Sequence, residues 1–337
     1  MLSRTATDAA VTGGSVAVAS EQVWRGRAFG LDVDASFPIS GLPVREGEPI
    51  GRRVSLELIE PRELDRLWRP GRKTSLLDRR DPDGRLVMSI ESDTALGFRI
   101  YAPRYGRHVI SPDGRRVRSV LPRVAPWRWQ RLLFAQVLPL ATSLQGLGVF
   151  HASAVAVEGT ALAFIATSGT GKTSLAVHLV DRGAALLTDD VLALEGGGRK
   201  VLAHHGAAFA GVAQAELDAV SPVARRQLGA VAGKTDKVLV TPHVSQTSVS
   251  LRAVYFLRRT SKPGAIVIAR SDPPDPLLLL SANFISYVPD PSHLRSHLDL
   301  CAQIAETAGI YRVEIPVGTS ATAVADAVLA HSRGEGE

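Results

Sequence analysis

The sequence predicts an α/β protein in which a smaller β-rich N-terminal region precedes a larger region of alternating strands and helices. Between Val23 and Pro122, short runs that alternate apolar with polar residues are separated by turn signals. From Gly148 onward, an apolar strand, a glycine-rich loop, a helix and a further strand follow one another. The C-terminal segment has two helical patterns around the predicted strand Ile310–Ile315.

The composition is that of a soluble globular protein and excludes a disordered or fibrous chain. Of 337 residues, 45% are hydrophobic and 21% are charged, so a sizeable core is available. The single cysteine, Cys301, permits neither an intramolecular disulfide nor a zinc site built from cysteines, and we expect it in the core. No run reaches the roughly 18 uncharged apolar residues that a membrane span needs. The sequence therefore predicts a soluble, cytoplasmic protein without a membrane partner.

The net charge of +6 is concentrated in the first half of the chain. Residues 1–150 carry 23 Lys and Arg against 16 Asp and Glu, whereas residues 151–337 carry 16 against 17. Such a surplus is compatible with an anionic peptide, a nucleic acid or an acidic surface as partner, and equally with an ordinary solvated surface. No nucleic-acid-binding signature accompanies it, so nucleic acid is not the expected partner.

The N-terminal half divides into a tail, a β-rich domain and a helix. Residues 1–20 are small and polar and predict a flexible tail, and residues 21–122 predict the β-rich domain. Pro-Asp-Gly occurs twice within this domain, each time between apolar runs, which favours tight turns. Residues 123–147 have helical periodicity and predict a linking helix, which Pro139 is expected to kink.

Residues 148–330 are predicted to form the α/β domain, followed by a tail at residues 331–337. Gly183 lies where a helix would end in a left-handed residue. Residues 207–233 predict a loop or mobile insert. The predicted helix is Thr173–Arg182, and the predicted strands are Val149–Val157, Ala161–Ala166, Ala184–Leu187, Val238–Thr241, Val249–Leu257 and Ala265–Ala269.

The segment from Ala166 to Thr173 matches the phosphate-binding pattern G-x-x-x-x-G-K-[ST], except that Ala166 replaces the first glycine. Glycines within the loop let the backbone N–H groups point at phosphate oxygens, and Lys172 adds a positive charge. The Thr173 hydroxyl suits Mg²⁺, and the following helix directs its positive end at the polyphosphate. The residues predicted to bind the nucleotide are Thr167, Ser168, Gly169, Thr170, Gly171, Lys172, Thr173 and Ser174.

Two adjacent acids, Asp189 and Asp190, follow the next predicted strand. In phosphate-loop proteins, an acid at the end of a neighbouring strand completes the Mg²⁺ shell or orients the nucleophile. Because adjacent side chains at a strand end point in different directions, these two acids can divide the two roles. A surface turn or a helix cap is the structural alternative.

The stretch from His151 to Leu194 resembles the catalytic domain of HPr serine kinase/phosphorylase. The resemblance rests on His151 in the strand before the loop, the loop SGTGKT, the helix ending in Arg182-Gly183, and the sequence LLTDD. The segments Ala28–Pro43 and Gly148–Val155 look more like the HPr-kinase-related branch. Members of that branch accompany ribosomally made, modified peptides and include kinases of lasso peptides.

The resemblance implies a phosphoenolpyruvate-carboxykinase-like P-loop kinase domain that uses ATP and Mg²⁺. It further implies that Asp189 acts as general base on the acceptor hydroxyl and that Asp190 holds Mg²⁺ together with Thr173. His151 would lie beside the transferred phosphate, although a histidine satisfied within the core is the alternative. Lys172 would bind the phosphate that is transferred.

One part of the family pattern is missing. The bifunctional HPr enzymes have a second segment, rich in acidic residues, Arg and Gly, after the paired aspartates, and Ala207–Lys237 occupies that place with a different sequence. This difference argues against the phosphorylase reaction and against HPr as the substrate. It also leaves a second metal-binding acid unassigned, with Glu195 and Glu216 as candidates. The basic pair Arg258-Arg259 at a predicted strand end is a further candidate for phosphate contact.

The sequence therefore predicts an ATP- and Mg²⁺-dependent kinase that phosphorylates a hydroxyl, with serine of a peptide or a small molecule as the expected acceptor. Two alternatives remain at this stage: transfer of another group from ATP, and a nucleotide-binding regulatory or scaffold protein of a peptide-maturation system. The sequence is also compatible with a homo-oligomer.

Overall fold

The computed structural model describes residues 23–69, 71–217, 227–230, 237–288 and 290–334. The predicted tail at residues 1–20 and the last residues, 335–337, lie outside the described residues. The final helix continues to Arg333, so residues 331–333 belong to that helix and not to a tail.

The N-terminal region is an eight-stranded sheet, as the alternating sequence pattern predicts. Its strand order is β1-β2-β3-β8-β7-β6-β5-β4, and every pair is antiparallel except β2–β3 and β3–β8. The strands are β1 (Trp24–Ala28), β2 (Leu31–Ala35), β3 (Arg53–Leu58), β4 (Thr74–Arg80), β5 (Leu86–Asp93), β6 (Gly97–Ala102), β7 (Gly106–Ile110) and β8 (Arg116–Val120).

A short helix, α1 (Pro61–Trp68), interrupts this β region and was not predicted from the sequence. Pro61 occupies its first turn, where a missing N–H costs nothing. Leu64 and Trp68, four residues apart on one helix face, are buried in a small cluster with Val109. Eight residues give too little periodicity to distinguish such a helix from a loop between strands.

The predicted linking helix consists of α2 (Pro126–Leu132), a π-helical turn (Leu133–Val137) and α3 (Leu138–Leu144). Pro139 lies in the first turn of α3, and the wider π-helical turn directly precedes it. Pro139 therefore lies at the start of a helical segment, directly after a π-helical turn, and not in the interior of one α-helix. The segment packs into one core with strands of the N-terminal sheet and with Val149, so it joins the two regions as buried structure.

The second sheet has nine strands of mixed direction. Strand β10 runs antiparallel to both of its neighbours, β11 and β12, whereas β11, β18 and β20 run parallel to one another. The strands are β9 (Gly148–Phe150), β10 (Ala152–Val157), β11 (Thr160–Ile165), β12 (Ala185–Thr188), β13 (Leu192–Gly197), β14 (Lys200–His204), β18 (Val249–Arg259), β19 (Val267–Arg270) and β20 (Gly309–Ile315).

Helices cover both faces of this sheet. Helices α4 (Lys172–Asp181) and α8 (Ala321–Arg333) pack on one face, and α7 (Pro291–Thr307) together with α6 (Pro276–Leu280) packs on the other. Cys301 of α7 is fully buried in this core, which confirms its prediction as a core residue. None of the helices in the described part of the chain is long and apolar enough to cross a membrane.

Two strands, Ala210–Ala213 and Gln227–Ala230, lie in the region predicted as a loop or insert, so that prediction was wrong for these residues. Both pair with Lys237–Val240, which overlaps the predicted strand Val238–Thr241, in a three-stranded antiparallel sheet. The sheet has the order β15 (Ala210–Ala213), β17 (Lys237–Val240) and β16 (Gln227–Ala230), with the short helix α5 (Gln214–Leu217) after β15. Strands of four residues rich in Ala and Gly carry little strand signal in the sequence. Their burial against α4 supplies the missing stabilisation, because Val212 and Val240 belong to the same core as that helix.

We predict that Leu138→Ala destabilises the whole molecule in a single unfolding transition. Leu138 is fully buried in the core that both regions share, and a buried Leu→Ala change costs about 3 kcal/mol. Urea unfolding followed by circular dichroism and by tryptophan fluorescence measures this cost. Leu277→Ala, at a side chain that is 69% exposed, is the matched control. Two separate transitions, of which only one shifts, would contradict a shared core.

Candidate active site

Strand direction brings the predicted functional segments to one edge of the second sheet. Because β11 and β12 both run antiparallel to β10, their carboxyl ends lie at the same edge, on either side of the start of β10. The glycine-rich loop follows β11, the two aspartates follow β12, and His151 directly precedes β10. The predicted strand Val149–Val157 is broken at His151, since β9 pairs with β13 and β10 pairs with β11 and β12.

The loop between β11 and α4 has the backbone conformation that a phosphate site requires. Gly169 and Gly171 have φ of 88° and 111°, in the left-handed region that favours glycine. Ala166 lies outside that region, so its replacement of the first glycine causes no backbone strain. Helix α4 begins at Lys172 and therefore presents the unpaired N–H groups of its first turn to this loop.

Two further contacts stabilise the loop. The hydroxyl groups of Thr167 and Thr170 lie 3.0 Å apart. From the end of β18, Nε of Arg259 donates to the carbonyl oxygen of Thr170 at 3.1 Å. Its neighbour Arg258 instead pairs with Glu314, because successive strand residues point to opposite faces. Only Arg259 of the predicted basic pair therefore reaches the loop.

Lys172 and His151 form a linked pair beside the loop. The Lys172 Nζ donates to the carbonyl oxygen of Ala166 at 2.6 Å and lies 3.4 Å from Nε2 of His151. The other ring nitrogen of His151, Nδ1, lies 3.0 Å from the carbonyl oxygen of Asp190. Since a carbonyl oxygen can only accept, Nδ1 carries the proton and Nε2 presents a lone pair to the ammonium group. His151 is partly exposed and lies between Lys172 and the aspartates, unlike a histidine satisfied within the core.

Three donors fix the carboxylate of Asp189. Its Oδ1 accepts hydrogen bonds from the hydroxyls of Thr173 and Ser153, both at 2.7 Å. Its Oδ2 accepts from the backbone N–H of Gly211 at 3.1 Å. Burial, together with the nearby charge of Asp190, raises the pKa of Asp189 to about 6, although the three hydrogen bonds act in the opposite direction.

Sequence reasoning missed Ser153 and Gly211. Ser153 is a polar residue within the otherwise apolar strand ASAVAV and lies two positions after His151, on the same strand face. That pattern is a usable signal for Ser153. Gly211 acts through its backbone in the unpredicted strand β15, so no side-chain pattern could identify it.

Asp190 differs from Asp189 in both conformation and environment. Its φ of 66° is left-handed, a conformation that costs a non-glycine residue about 1–2 kcal/mol and that occurs often at functional sites. The side chain is exposed and accepts no hydrogen bond from a described residue. Asp190 thus holds His151 through its backbone and leaves its carboxylate open to solvent.

The site fits a magnesium ion that is held mainly by the substrate. Among the described residues, no group of three or more His, Cys, Asp or Glu is arranged to hold a metal ion. Mg²⁺ at phosphate sites typically uses one or two carboxylates, phosphate oxygens and water. The hydroxyl of Thr173 donates a hydrogen bond to the carboxylate of Asp189. The adjacent residue, Asp190, supplies a second carboxylate.

Glu195 and Glu216, the two candidates for the second metal-binding acid, form no hydrogen bond with Thr173, Asp189 or Asp190 in the described part of the chain. Glu195 pairs with Arg52 and, at 3.0 Å, with Nε2 of His204, and these partners hold the pKa of Glu195 at about 2. Glu216 lies 3.6 Å from Nε2 of His178, whose hydrogen bond lowers the pKa of that carboxyl. Both acids are used in contacts that connect secondary-structure elements.

Comparisons with known proteins give a weak structural likeness. No family model matches the chain, and no curated protein matches it. Among solved structures, the chain is similar to the HPr(Ser) kinase/phosphatase from Coxiella burnetii, with 12% identity and a TM-score of 0.31 over 56% of this chain and 99% of that chain. A likeness this low assigns no activity, so the functional assignment rests on the geometry of the site.

We predict that Asp189→Asn changes how stability depends on pH. With the pKa raised from 3.8 to about 6, the folded protein retains a proton between these values that the unfolded chain releases. The stability of the wild type relative to Asp189→Asn therefore falls as pH rises through this window and levels off above about pH 6.

Thermal unfolding of both proteins across this pH range measures the difference. Asp190→Asn removes the neighbouring negative charge and should therefore lower the pKa of Asp189. The stability of this variant should then level off at a lower pH than that of the wild type. A difference in Tm that does not vary with pH would show that Asp189 titrates normally.

Proposed function

We propose that this protein is an ATP- and Mg²⁺-dependent kinase that transfers the γ-phosphate to a hydroxyl group, with serine of a peptide or a small molecule as acceptor. One observation carries the proposal. A carboxylate with a raised pKa, Asp189, is hydrogen-bonded to Thr173 of the phosphate loop, next to Lys172. A phosphate-binding loop and a basic carboxylate in direct contact are the two groups that phosphoryl transfer to a hydroxyl requires.

The loop residues bind the triphosphate. Backbone N–H groups of residues 167–174 surround the phosphates, and the positive end of α4 adds to their attraction. Lys172 exchanges its contact with the Ala166 carbonyl for the β- and γ-phosphate oxygens. Thr173 and Asp190 would hold Mg²⁺, which would neutralise phosphate charge when bound.

Asp189 accepts the proton of the acceptor hydroxyl. The hydroxyl oxygen forms a bond to the γ-phosphorus while the bond from that phosphorus to the β–γ bridging oxygen breaks, and ADP leaves with the bridging electron pair. The proton moves to the Asp189 carboxylate and is then released to water. A base with a pKa of about 6 is mostly ionised at neutral pH and still basic enough to assist the transfer.

Lys172 and His151 have different roles in the transfer. Lys172 places its ammonium group beside the γ-phosphate, where negative charge increases at the departing oxygen. His151, protonated on Nδ1, keeps its Nε2 lone pair toward Lys172 and so holds that ammonium group in place. His151 therefore positions Lys172.

We predict that Lys172→Ala abolishes ATP binding, whereas Asp189→Asn retains binding and loses transfer. Asn keeps an oxygen acceptor for Thr173 and Ser153 but cannot take a proton, so the transfer rate should fall about 100-fold or more. Calorimetry with ATP and Mg²⁺ measures binding, and mass spectrometry of a serine-peptide library measures transfer. The matched controls are the exposed residues Lys200→Ala and Asp299→Asn.

The possible products separate this function from its alternatives. A peptide that gains phosphate supports the kinase, and a peptide that gains adenylate contradicts it. ATP binding without turnover of ATP or of any peptide would indicate a regulatory nucleotide-binding protein. Wild-type transfer rates in Asp189→Asn would remove that residue from the role of base.

A further inference from the structure

A small cavity opens onto the two aspartates from the side of the N-terminal region. Its volume is about 90 Å³. Asp189 and Asp190 line it together with residues of the linking segment, including Arg131 and Phe134, and no ion pair joins Arg131 to either aspartate. No residue of the phosphate loop lines this cavity, so a ligand in it would reach Asp189 from outside the loop.

Three aromatic rings form an apolar wall of this cavity. Phe134 packs against Phe29 with a centroid distance of 6.4 Å and against Phe209 with a distance of 5.4 Å in an edge-to-face arrangement. Phe29 and Phe134 are almost completely buried, so both rings are fixed by the shared core. A cavity of this size and rigidity accepts a short apolar segment and excludes a bulky one.

Arg131 is the only basic residue among the described residues that line the cavity. Its guanidinium lies 6.0 Å from the ring centroid of Tyr105 and makes no ion pair within the described part of the chain. Other arginines of the N-terminal region do pair with acids, as Arg27 does with Asp32 and Arg99 with Glu91. An arginine without a carboxylate partner at a cavity wall is suited to bind a planar anion through two parallel hydrogen bonds.

The opposite charges that line the cavity constrain the orientation of a ligand. An anionic group next to Asp189 and Asp190 would be repelled by both carboxylates, whereas a hydroxyl there can donate to Asp189. An anionic group would therefore lie next to Arg131, and apolar atoms of the ligand would contact the phenylalanine rings.

We infer that the acceptor carries a carboxylate or a similar anion a few atoms from its reactive hydroxyl, and that Arg131 binds this anion. This inference rests on the proposed kinase function and adds the chemical class of the acceptor. The same chemistry occurs in a peptide whose serine has an acidic neighbour and in a small hydroxy acid. Both sources are therefore included in the test.

The test measures phosphorylation of synthetic serine peptides that have Asp or Asn beside the serine, and of a small hydroxy acid with its amide. We expect the wild type to prefer the Asp peptide over the Asn peptide by about 10-fold or more in kcat/KM, the size of effect expected for one charge-assisted contact. In Arg131→Gln, KM for the Asp peptide should rise until that preference is lost. Arg131→Lys should retain part of it.

The controls separate loss of the anion contact from loss of folding. Arg128→Gln removes an arginine of the same helix that packs on Trp127 and lies outside the cavity, and it should retain the preference. ATP affinity measured by calorimetry should be unchanged in both Gln variants. If the wild type prefers the hydroxy acid over its amide but does not distinguish the two peptides, the acceptor is a small molecule. Arg131→Gln should abolish that preference as well.

Other outcomes overturn the inference. Phosphorylation of Asp and Asn peptides at equal rates without a preference for the hydroxy acid over its amide, or an Arg131→Gln variant that keeps the preference for anionic acceptors, would contradict an anion site while leaving the kinase function intact. If the wild type binds ATP but phosphorylates none of the acceptors, the proposed function fails and this inference fails with it.

Discussion

The hydrogen bonds that converge on Asp189 connect most of the parts on which the site depends. A carboxylate at the end of β12 accepts from Ser153 on β10, from Thr173 at the start of α4 and from the backbone of Gly211 on β15. These contacts fix the phosphate loop, the second sheet and the small third sheet relative to one carboxylate. Burial disfavours the charged form of that carboxylate and therefore raises its pKa. The same desolvation makes Asp189 a better base, so the cost in stability and the suggested function have one origin.

The shared core explains why the N-terminal region is part of the site. The linking segment is buried between the two sheets, and its residues form one cluster with β-strands from both regions. A rigid body of this kind can hold Phe134 and Arg131 at a fixed distance from the aspartates. If the N-terminal sheet were joined by an exposed linker, the cavity would vary in shape, and the proposed selection of the acceptor by its wall would be weak.

Charge is distributed unequally over the site. On one side, Lys172 contacts the carbonyl oxygen of Ala166 and Nε2 of His151. On the other side, Asp189 is partly buried while Asp190 is exposed, and burial together with the charge of Asp190 raises the pKa of Asp189. Many arginines of the N-terminal half form ion pairs with acids, such as Arg27 with Asp32 and Arg52 with Glu195. Arg131, which lines the cavity, forms no such ion pair in the described part of the chain.

Local sequence determined those features that depend on a few consecutive residues. The alternating β region, the glycine loop before α4, the left-handed Gly183 with φ of 94° and the C-terminal helix–strand–helix order all follow from spacing and from backbone preference. The adjacent acids were also visible, because a strand end is a local feature. Tertiary structure alone decided which partners meet. Ser153 lies 36 residues from Asp189 and Gly211 lies 22 residues away, and α1 and β15–β17 are stabilised by burial against distant elements. Contacts of this kind depend on strand order and packing, which no local pattern encodes.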